Sequence, residues 1–518
     1  MSLSSAYVTG AFEHPTRHAP DKSIAQLHAE CALGAVADAG LSLGDIDGYF
    51  CAGDTPGASP LYMADYLNLK LRWLDGTESG GCSYLMHVAH AAAAIAAGQC
   101  DVALITLSGR PRSEGQATGT APRAGSSSQA DEPFETPYRP TIAGMYGMFA
   151  KRHMHEFGTT AEQLAWVKVS ASRHAQHNPN ALLRKVVTVE DVLASPVVCD
   201  GIRRLDCCVI TDGGGAAILT RPEIARSLKR PLVRVAGTGH TMHTQNGGYV
   251  DAVRTGAMAS GTAAFAEAGV TAQDIKYASI YDNFTIMVVM QLEDLGFCPK
   301  GQGGRFVAEG NLISGVGRLP WNTDGGGLCN NHPANRGGMT KLIEAVRQLR
   351  GEAHPAVQVK NCDIAATATR PPCWSGSDAH DDGTHHPLLD QRGDFPQPDR
   401  ISTGDPAVLG SRLPRHAAAR PLHGLQSPAL VSARRLPAVR QPRHRVARGV
   451  RPRHRLQRQR GAPCRAALCA GLRDARRGAD DADQHRRLRR RRRGHRAEGE
   501  GRVQGAARCP SRANVHAL

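Results

Sequence analysis

Apolar positions along this chain follow two spacings, and the same succession of spacings occurs twice. AVADAGLSLGDI (35–46) is an Ala-rich stretch with helical periodicity that reaches a Gly, a small-residue turn and an Asp-Ile pair. AFAEAGVTAQDI (264–275) repeats it 229 positions later. A Gly behind a helix supplies the left-handed residue that ends it, so the two copies predict helices stopping at Gly40 and Gly269. The apolar runs that follow, DGYFCAG (47–53) and YASIYDNF (277–284), are short and predict strands. A second echo agrees. AAAAIAAGQCDVALI (91–105) reads helix, Gly, Cys-Asp, strand, and EAVRQLRGEAHPAVQVKNCDIA (344–365) does the same with a longer loop. Helices alternating with short buried strands predict parallel sheets covered by helices, and two such halves predict a pseudo-symmetric α/β protein.

This patterning stops near Ile364. The last Lys is Lys360, the last Met is Met339 and the last Tyr is Tyr281. Residues 365–518 hold 32 Arg and no Lys against 13 acidic residues, so the whole-chain charge of +16 arises there. The first 364 residues carry 31 basic and 34 acidic groups, an ordinary balance for a globular protein. We therefore expect three segments: an N-terminal half with insertions (1–220), a C-terminal half that is cut short (221–363), and a largely disordered Arg-rich tail (364–518). No apolar run of 18 residues occurs, which predicts no membrane span. The first 15 residues lack the basic flank and apolar core of a secretory leader. The 14 Cys include no CxxC pair and read as reduced thiols in the cytoplasm.

Five stretches carry a resemblance: DAGLSLGDIDG (38–48), HNPNA (177–181), DCCVITDGGGAAIL (206–219), YDNFT (281–285) and GGGLCNNHP (325–333). Together with the repeat they resemble the lipid-transfer, sterol-carrier branch of the thiolase superfamily over residues 1–363. The resemblance implies a duplicated thiolase fold with five αβαβα layers. It implies an enzyme acting on a coenzyme A thioester as substrate, with no permanently bound cofactor, and a homodimer.

Thiolase chemistry needs a nucleophilic thiolate, a base and a site for the thioester oxygen. The family places its Cys where a strand runs into a buried helix, here ESGGCSYLMHVAHAAAAIAAG (78–98). Cys82 is the obvious candidate. Counting back from Gly98 and Asp101 in the family spacing, however, the nucleophile falls on Gly81, and one residue on a helix is a turn of about 100°. His332 matches the family His of the glycine-rich loop, which helps activate the nucleophile and hold the thioester oxygen. Gly325, Gly326 and Gly327 would let backbone approach the ligand closely. Tyr281 stands where thiolases have the Asn of Asn-Glu-Ala-Phe; a phenol there can donate or accept a proton, with Asp282 expected to orient it.

The displaced Cys and the Tyr resemble thiolase-like aldolases that cleave β-hydroxyacyl-CoA side chains of sterols and pair with a zinc-ribbon/OB-fold protein. The resemblance thus implies retro-aldol cleavage, with thiolysis through Cys82 as one alternative and non-catalytic acyl-CoA or lipid binding as another. Two departures count against it. Ala334, Asn335 and Arg336 replace the Gly-Met-aromatic that follows His-Pro in the aldolases, and the family's last glycine-rich loop is missing past Asp363.

The tail has two readings. One is a basic arm that binds nucleic acid without sequence preference. The other, which we favour, is a slipped reading frame. Read from the second base of each codon, Leu422, Leu425, Leu436 and Val439 each permit Cys, and Val431–Ala433 permit Phe-Pro-Pro. The result is C-x2-C-x10-C-x2-C, a four-thiolate zinc spacing. Coding DNA should therefore carry Cys codons in that frame at all four positions, and a product with the frame restored should bind one zinc ion per chain; any other codons there contradict the slip.

Overall fold

The computed structural model describes residues 6–53, 59–120, 138, 141–242, 251–333, 337–368, 383–385 and 388–390. Nine strands form one sheet: β1 (Tyr7–Glu13), β2 (Gly48–Cys51), β3 (Trp73–Asp75), β4 (Val102–Gly109), β5 (Gly213–Thr220), β6 (Arg234–Gly237), β7 (Tyr277–Ile280), β8 (Ile364–Ala368) and β9 (Leu388–Asp390). Their order is β7-β8-β9-β6-β1-β5-β4-β2-β3. The helices that matter here are α1 (Ile24–Ala39), α2 (Ser83–Ala96), α3 (Ile142–Phe157), α4 (Ala161–Ala175), α5 (Ala257–Ala268), α6 (Thr285–Asp294), α7 (Gly326–Cys329) and α8 (Gly338–Arg350).

The repeat read from the sequence is a repeat of structure, down to its caps. Helix α1 ends on Gly40 at φ 72° and α5 on Gly269 at φ 68°. In the turn that follows, the backbone N–H of Ser42 donates to Asp45 Oδ2 at 2.8 Å, and that of Thr271 to Asp274 Oδ2 at 2.8 Å. Strands β2 and β4 then pair parallel, as do β7 and β8. The antiparallel run β4-β5-β1 has its counterpart in β8-β9-β6. Ala278 of β7 bridges Trp321 in parallel, where β2 pairs with β3. Within the sheet the two halves meet where β1 runs beside β6, with Tyr7 opposite Arg234, the Val8 N–H donating to the Val233 carbonyl at 2.8 Å and the Val235 N–H to the Ala6 carbonyl at 2.9 Å.

Alternation along the strands builds the layers. In β5, Ala216 and Ile218 face α1, whereas Ala217 and Leu219 face the core shared with α2 and α8. In β8, Ala365 faces that same shared core, while Ile364, Ala366 and Ala368 face the cluster of α3, α4, α5 and α6. The sequence of layers is α1, N-terminal strands, α2 with α8, C-terminal strands, and the remaining helices. This is the five-layered thiolase arrangement. The central helices need near-complete burial, and α2 supplies it with Tyr84, Leu85, Val88, Ala91, Ala92 and Ile95.

Strands β8 and β9 lie beyond residue 363, and β9 takes the place that β5 fills in the first half. IAATA is too short and too small to register as a periodic pattern, yet all five of its residues are buried. The four positions of the shifted-frame zinc motif and the Arg run at 486–496 lie outside the described residues. Among the described residues no helix is long and apolar enough to cross a membrane.

Candidate active site

The motifs of the sequence converge behind the ends of β4, β5 and β7. The stretch 207–211, leading into β5, runs beside the segment after β7. Cys207 bridges Phe284, and the N–H of Cys208 donates to the carbonyl of Asn283 at 2.8 Å. One residue on, the N–H of Val209 donates to the carbonyl of Gly327 at 2.9 Å. HNPNA packs on the other side: Asn178 Nδ2 donates to the carbonyl of Asp324 at 2.9 Å, and the N–H of Leu183 to that of Cys329 at 2.9 Å. The loop of Gly325–Gly327 is thereby gripped from both sides. Its tight path needs left-handed residues, with φ 97° at Gly325 and 61° at Gly326.

At the centre, Tyr281 and His332 form a pair. The phenol oxygen lies 2.7 Å from His332 Nε2, and the two rings stack with planes 8° apart and centroids 5.6 Å apart. Both are buried, at 2 % and 3 % exposure. Burial pushes the His332 imidazole down to about 4; the nearby Asp282 carboxylate favours its charge and Lys341 opposes it. Burial likewise raises the Tyr281 phenol well above its ordinary value, with Cys208, Tyr146 and Cys82 adding to the rise. The resting pair is therefore neutral at pH 7, the phenol donating and Nε2 accepting. His332 Nδ1 then carries the ring proton, and among the described residues it has no partner.

Gly81 is the residue that faces this pair. A Cβ built at position 81 would stand 2.8 Å from Tyr281 Cε1 and 3.1 Å from its hydroxyl oxygen. On the opposite side a Cβ at Gly337 would run into the same ring. Tyr281 fills the space that a side chain at 81 would need. Cys82, one residue further, is fully buried at the N-terminal end of α2.

The Asp282 carboxylate is engaged with the glycine loop. It caps the short helix α7, accepting from the N–H of Gly327 at 2.8 Å and of Leu328 at 3.0 Å. Lys341 Nζ lies 2.8 Å from Oδ1, and both side chains are essentially inaccessible to solvent. Asp282 thus acts on the glycine loop. The close approach that Gly326 and Gly327 permit in this structure is to the Asp282 carboxylate.

Sequence reading missed Lys341 and Thr211. Lys341 lies in α8 among buried residues that also include Glu344, Gln348 and Arg350, so it does not stand out as a lone cation on an apolar face. Thr211 lies within a quoted motif, but nothing local announces its partners: its hydroxyl donates to Asn331 Oδ1 at 2.7 Å and accepts the N–H of His332 at 2.9 Å. Among the described residues no group of three or more His, Cys, Asp or Glu is placed to hold a metal ion.

Comparison with known proteins identifies the family. The family profile described as Thiolase C-terminal domain-like matches residues 237–376. The 17-hydroxy-3-oxo-4-pregnene-20-carboxyl-CoA lyase of Mycobacterium tuberculosis is 35 % identical over 359 residues, covering 67 % of this chain and 92 % of the lyase. The chain belongs to the thiolase superfamily, in its lipid-transfer and sterol-carrier branch. It is 36 % identical over 348 residues to the steroid side-chain-cleaving aldolase of Thermomonospora curvata, covering 64 % of this chain and 86 % of the aldolase. Among solved structures, the Ltp2-ChsH2(DUF35) aldolase superposes with a TM-score of 0.65 at 29 % identity, covering 75 % of this chain and 98 % of that one.

The buried imidazole gives a pH test. A histidine at the ordinary ~6.5 would lose half its neutral form at that pH, whereas His332, lowered to about 4, stays neutral through it. Activity that needs neutral His332 should be flat from pH 7.5 down to about 5.5, read as kcat/KM. An acid limb near 6.5 would contradict the assignment.

Proposed function

We propose that this thiolase-superfamily enzyme cleaves a carbon–carbon bond of a β-hydroxyacyl-CoA by a retro-aldol route, with Tyr281 and His332 as its acid–base pair. The observation that carries the reading is the Tyr281–His332 hydrogen bond standing in the space a side chain at position 81 would occupy. The substrate's β-hydroxyl gives its proton to the Tyr281 oxygen as the phenol proton passes to His332 Nε2. The C–O bond becomes a carbonyl, the Cα–Cβ bond breaks, and its electron pair moves onto the thioester as an enolate. Protonation at Cα then yields a ketone or aldehyde and a shortened acyl-CoA. His332 Nδ1–H, buried and without a partner among the described residues, is suited to meet an oxygen of the substrate. A proton arriving on His332 is opposed by burial and favoured by the Asp282 carboxylate. The relatives named as a lyase of a carboxyl-CoA and as a steroid side-chain-cleaving aldolase support a polycyclic, sterol-derived acyl group as the substrate class.

Two further features belong to the proposal. A homodimer would add a second copy along the free edge strand β3. A partner protein of zinc-ribbon/OB-fold type would complete the substrate site, a reading supported by the second component named with the Ltp2 aldolase. The competing mechanism is thiolysis through Cys82, which lies close enough to Tyr281 to affect its ionisation.

Cys82→Ala separates the two. Retro-aldol cleavage predicts that the variant keeps activity within a few-fold of the parent and that intact-protein mass spectrometry detects no acyl-enzyme in either. A loss of roughly a thousandfold or more, typical of deleting a nucleophile, together with an acyl adduct on the parent, would assign the chain to the thiolytic branch.

A further inference from the structure

A buried catalytic histidine is usually oriented through its second ring nitrogen, which donates to a carboxylate or carbonyl. His332 lacks such a tie among the described residues, since Nε2 meets Tyr281 and Nδ1 meets nothing. What fixes the residue is its backbone. The N–H of His332 donates to Thr211 Oγ1 at 2.9 Å, and the Thr211 hydroxyl donates to Asn331 Oδ1 at 2.7 Å. One hydroxyl thus pins two successive residues of the loop.

The chain of bonds continues into the first strand. Asn331 Nδ2 donates to Glu13 Oε1 at 3.0 Å, and Asn330 Nδ2 reaches the same oxygen at 3.1 Å. Arg17 closes the cluster, donating to Glu13 Oε1 at 2.7 Å, to Asn330 Oδ1 at 2.7 Å and to the Asn330 carbonyl at 3.1 Å. Arg347 reaches the other Glu13 oxygen at 3.1 Å. Burial opposes the charge on Glu13, but the two guanidinium groups overcome it and hold the carboxyl at about 2. Glu13 ends β1, which pairs directly with β5 at Gly215, and Thr211 stands just before β5. Both residues belong to the N-terminal half, whereas His332 belongs to the C-terminal half.

We propose that Thr211, backed through Asn331 by the Glu13 carboxylate, is the positioning residue of the His332 imidazole. The N-terminal half sets where the base of the C-terminal half stands. Thr211 acts through His332, and the proposal rests on reading Tyr281 and His332 as the acid–base pair. Tyr281, through its hydrogen bond to Nε2, and the charges of Asp282 and Lys341 also act on the imidazole.

The test reads the imidazole directly in the full-length chain. Histidine labelled with 13C at Cε1 reports each ring's ionisation by NMR, and the His332 signal is the one lost in His332→Gln. In the parent it should remain that of a neutral ring down to about pH 4. Thr211→Val keeps the side-chain shape and removes both hydrogen bonds. Its His332 signal should broaden, and its titration should move up by about one unit or more toward ~6.5 as the ring leaves its dry seat. Thr211→Ser should restore the parent signal. Glu13→Gln, with Thr211 left in place, should move the resonance in the same direction by a smaller amount. With a β-hydroxyacyl-CoA as probe, Thr211→Val should lower kcat roughly ten- to a hundredfold, with KM unchanged. A His332 signal unmoved in both Thr211→Val and Glu13→Gln would overturn the proposal. So would failure of Thr211→Ser to restore the signal, which would assign the effect to packing of the methyl group. Should the parent turn over no β-hydroxyacyl-CoA, the functional reading falls while the NMR still decides the positioning role.

Discussion

A tyrosine ring held between two stretches of backbone needs glycine on both sides, and the site is arranged around that need. Gly81 and Gly337 leave room for the Tyr281 ring to lie flat against His332. Even a methyl group at 81 would overlap the ring, an overpacking worth about 1–3 kcal/mol at a site with no slack. The consequence reaches back to the chemistry. With position 81 surrendered to a phenol, the thiol next in sequence is one residue along at Cys82, which the 3-10 turn of Gly80–Cys82 carries about 120° away. The sequence departure at 281 and the departure at 81 are therefore one structural event.

Burial gives the pair its character, and the charges around it are matched within the protein. Asp282 is met by Lys341 and by two backbone N–H groups; Glu13 is met by Arg17, Arg347 and two asparagines. Such buried pairs contribute little net stability because desolvation offsets their attraction. They instead hold the glycine loop and the Asn-Asn-His segment in one place. Further along, Glu344 is raised to about 7 by burial and by the neighbouring Asp324, so part of this cluster is protonated at neutral pH. The imidazole at the centre stays neutral, as a proton acceptor must.

Much of this was legible in the sequence because its signals are local. A Gly cap followed by an Asp that closes the next turn occurs within six residues, 40–45 and 269–274, so the duplication could be read at Gly40 and Gly269. The motif at 325–333 placed His332 in a glycine loop, and the spacing back from Gly98 singled out Gly81. What escaped depends on contacts far apart in the chain. Asn331 meets Glu13 across 318 positions, and Lys341 meets Asp282 through the fold alone. Strand β8 also escaped, because five small residues are a signal too weak to register against the composition that follows.

The central claim is that the bond is cleaved without thiolysis, and the most direct measurement is the dependence of turnover on free coenzyme A. The full chain is mixed with a sterol-derived β-hydroxyacyl-CoA in buffer free of added coenzyme A, with any zinc-ribbon/OB-fold partner supplied, and the products are quantified by mass spectrometry. The account predicts one carbonyl product and one shortened acyl-CoA per substrate consumed, at a rate that added coenzyme A does not raise. Products that form only from the β-keto substrate, and only when free coenzyme A is present, would contradict it.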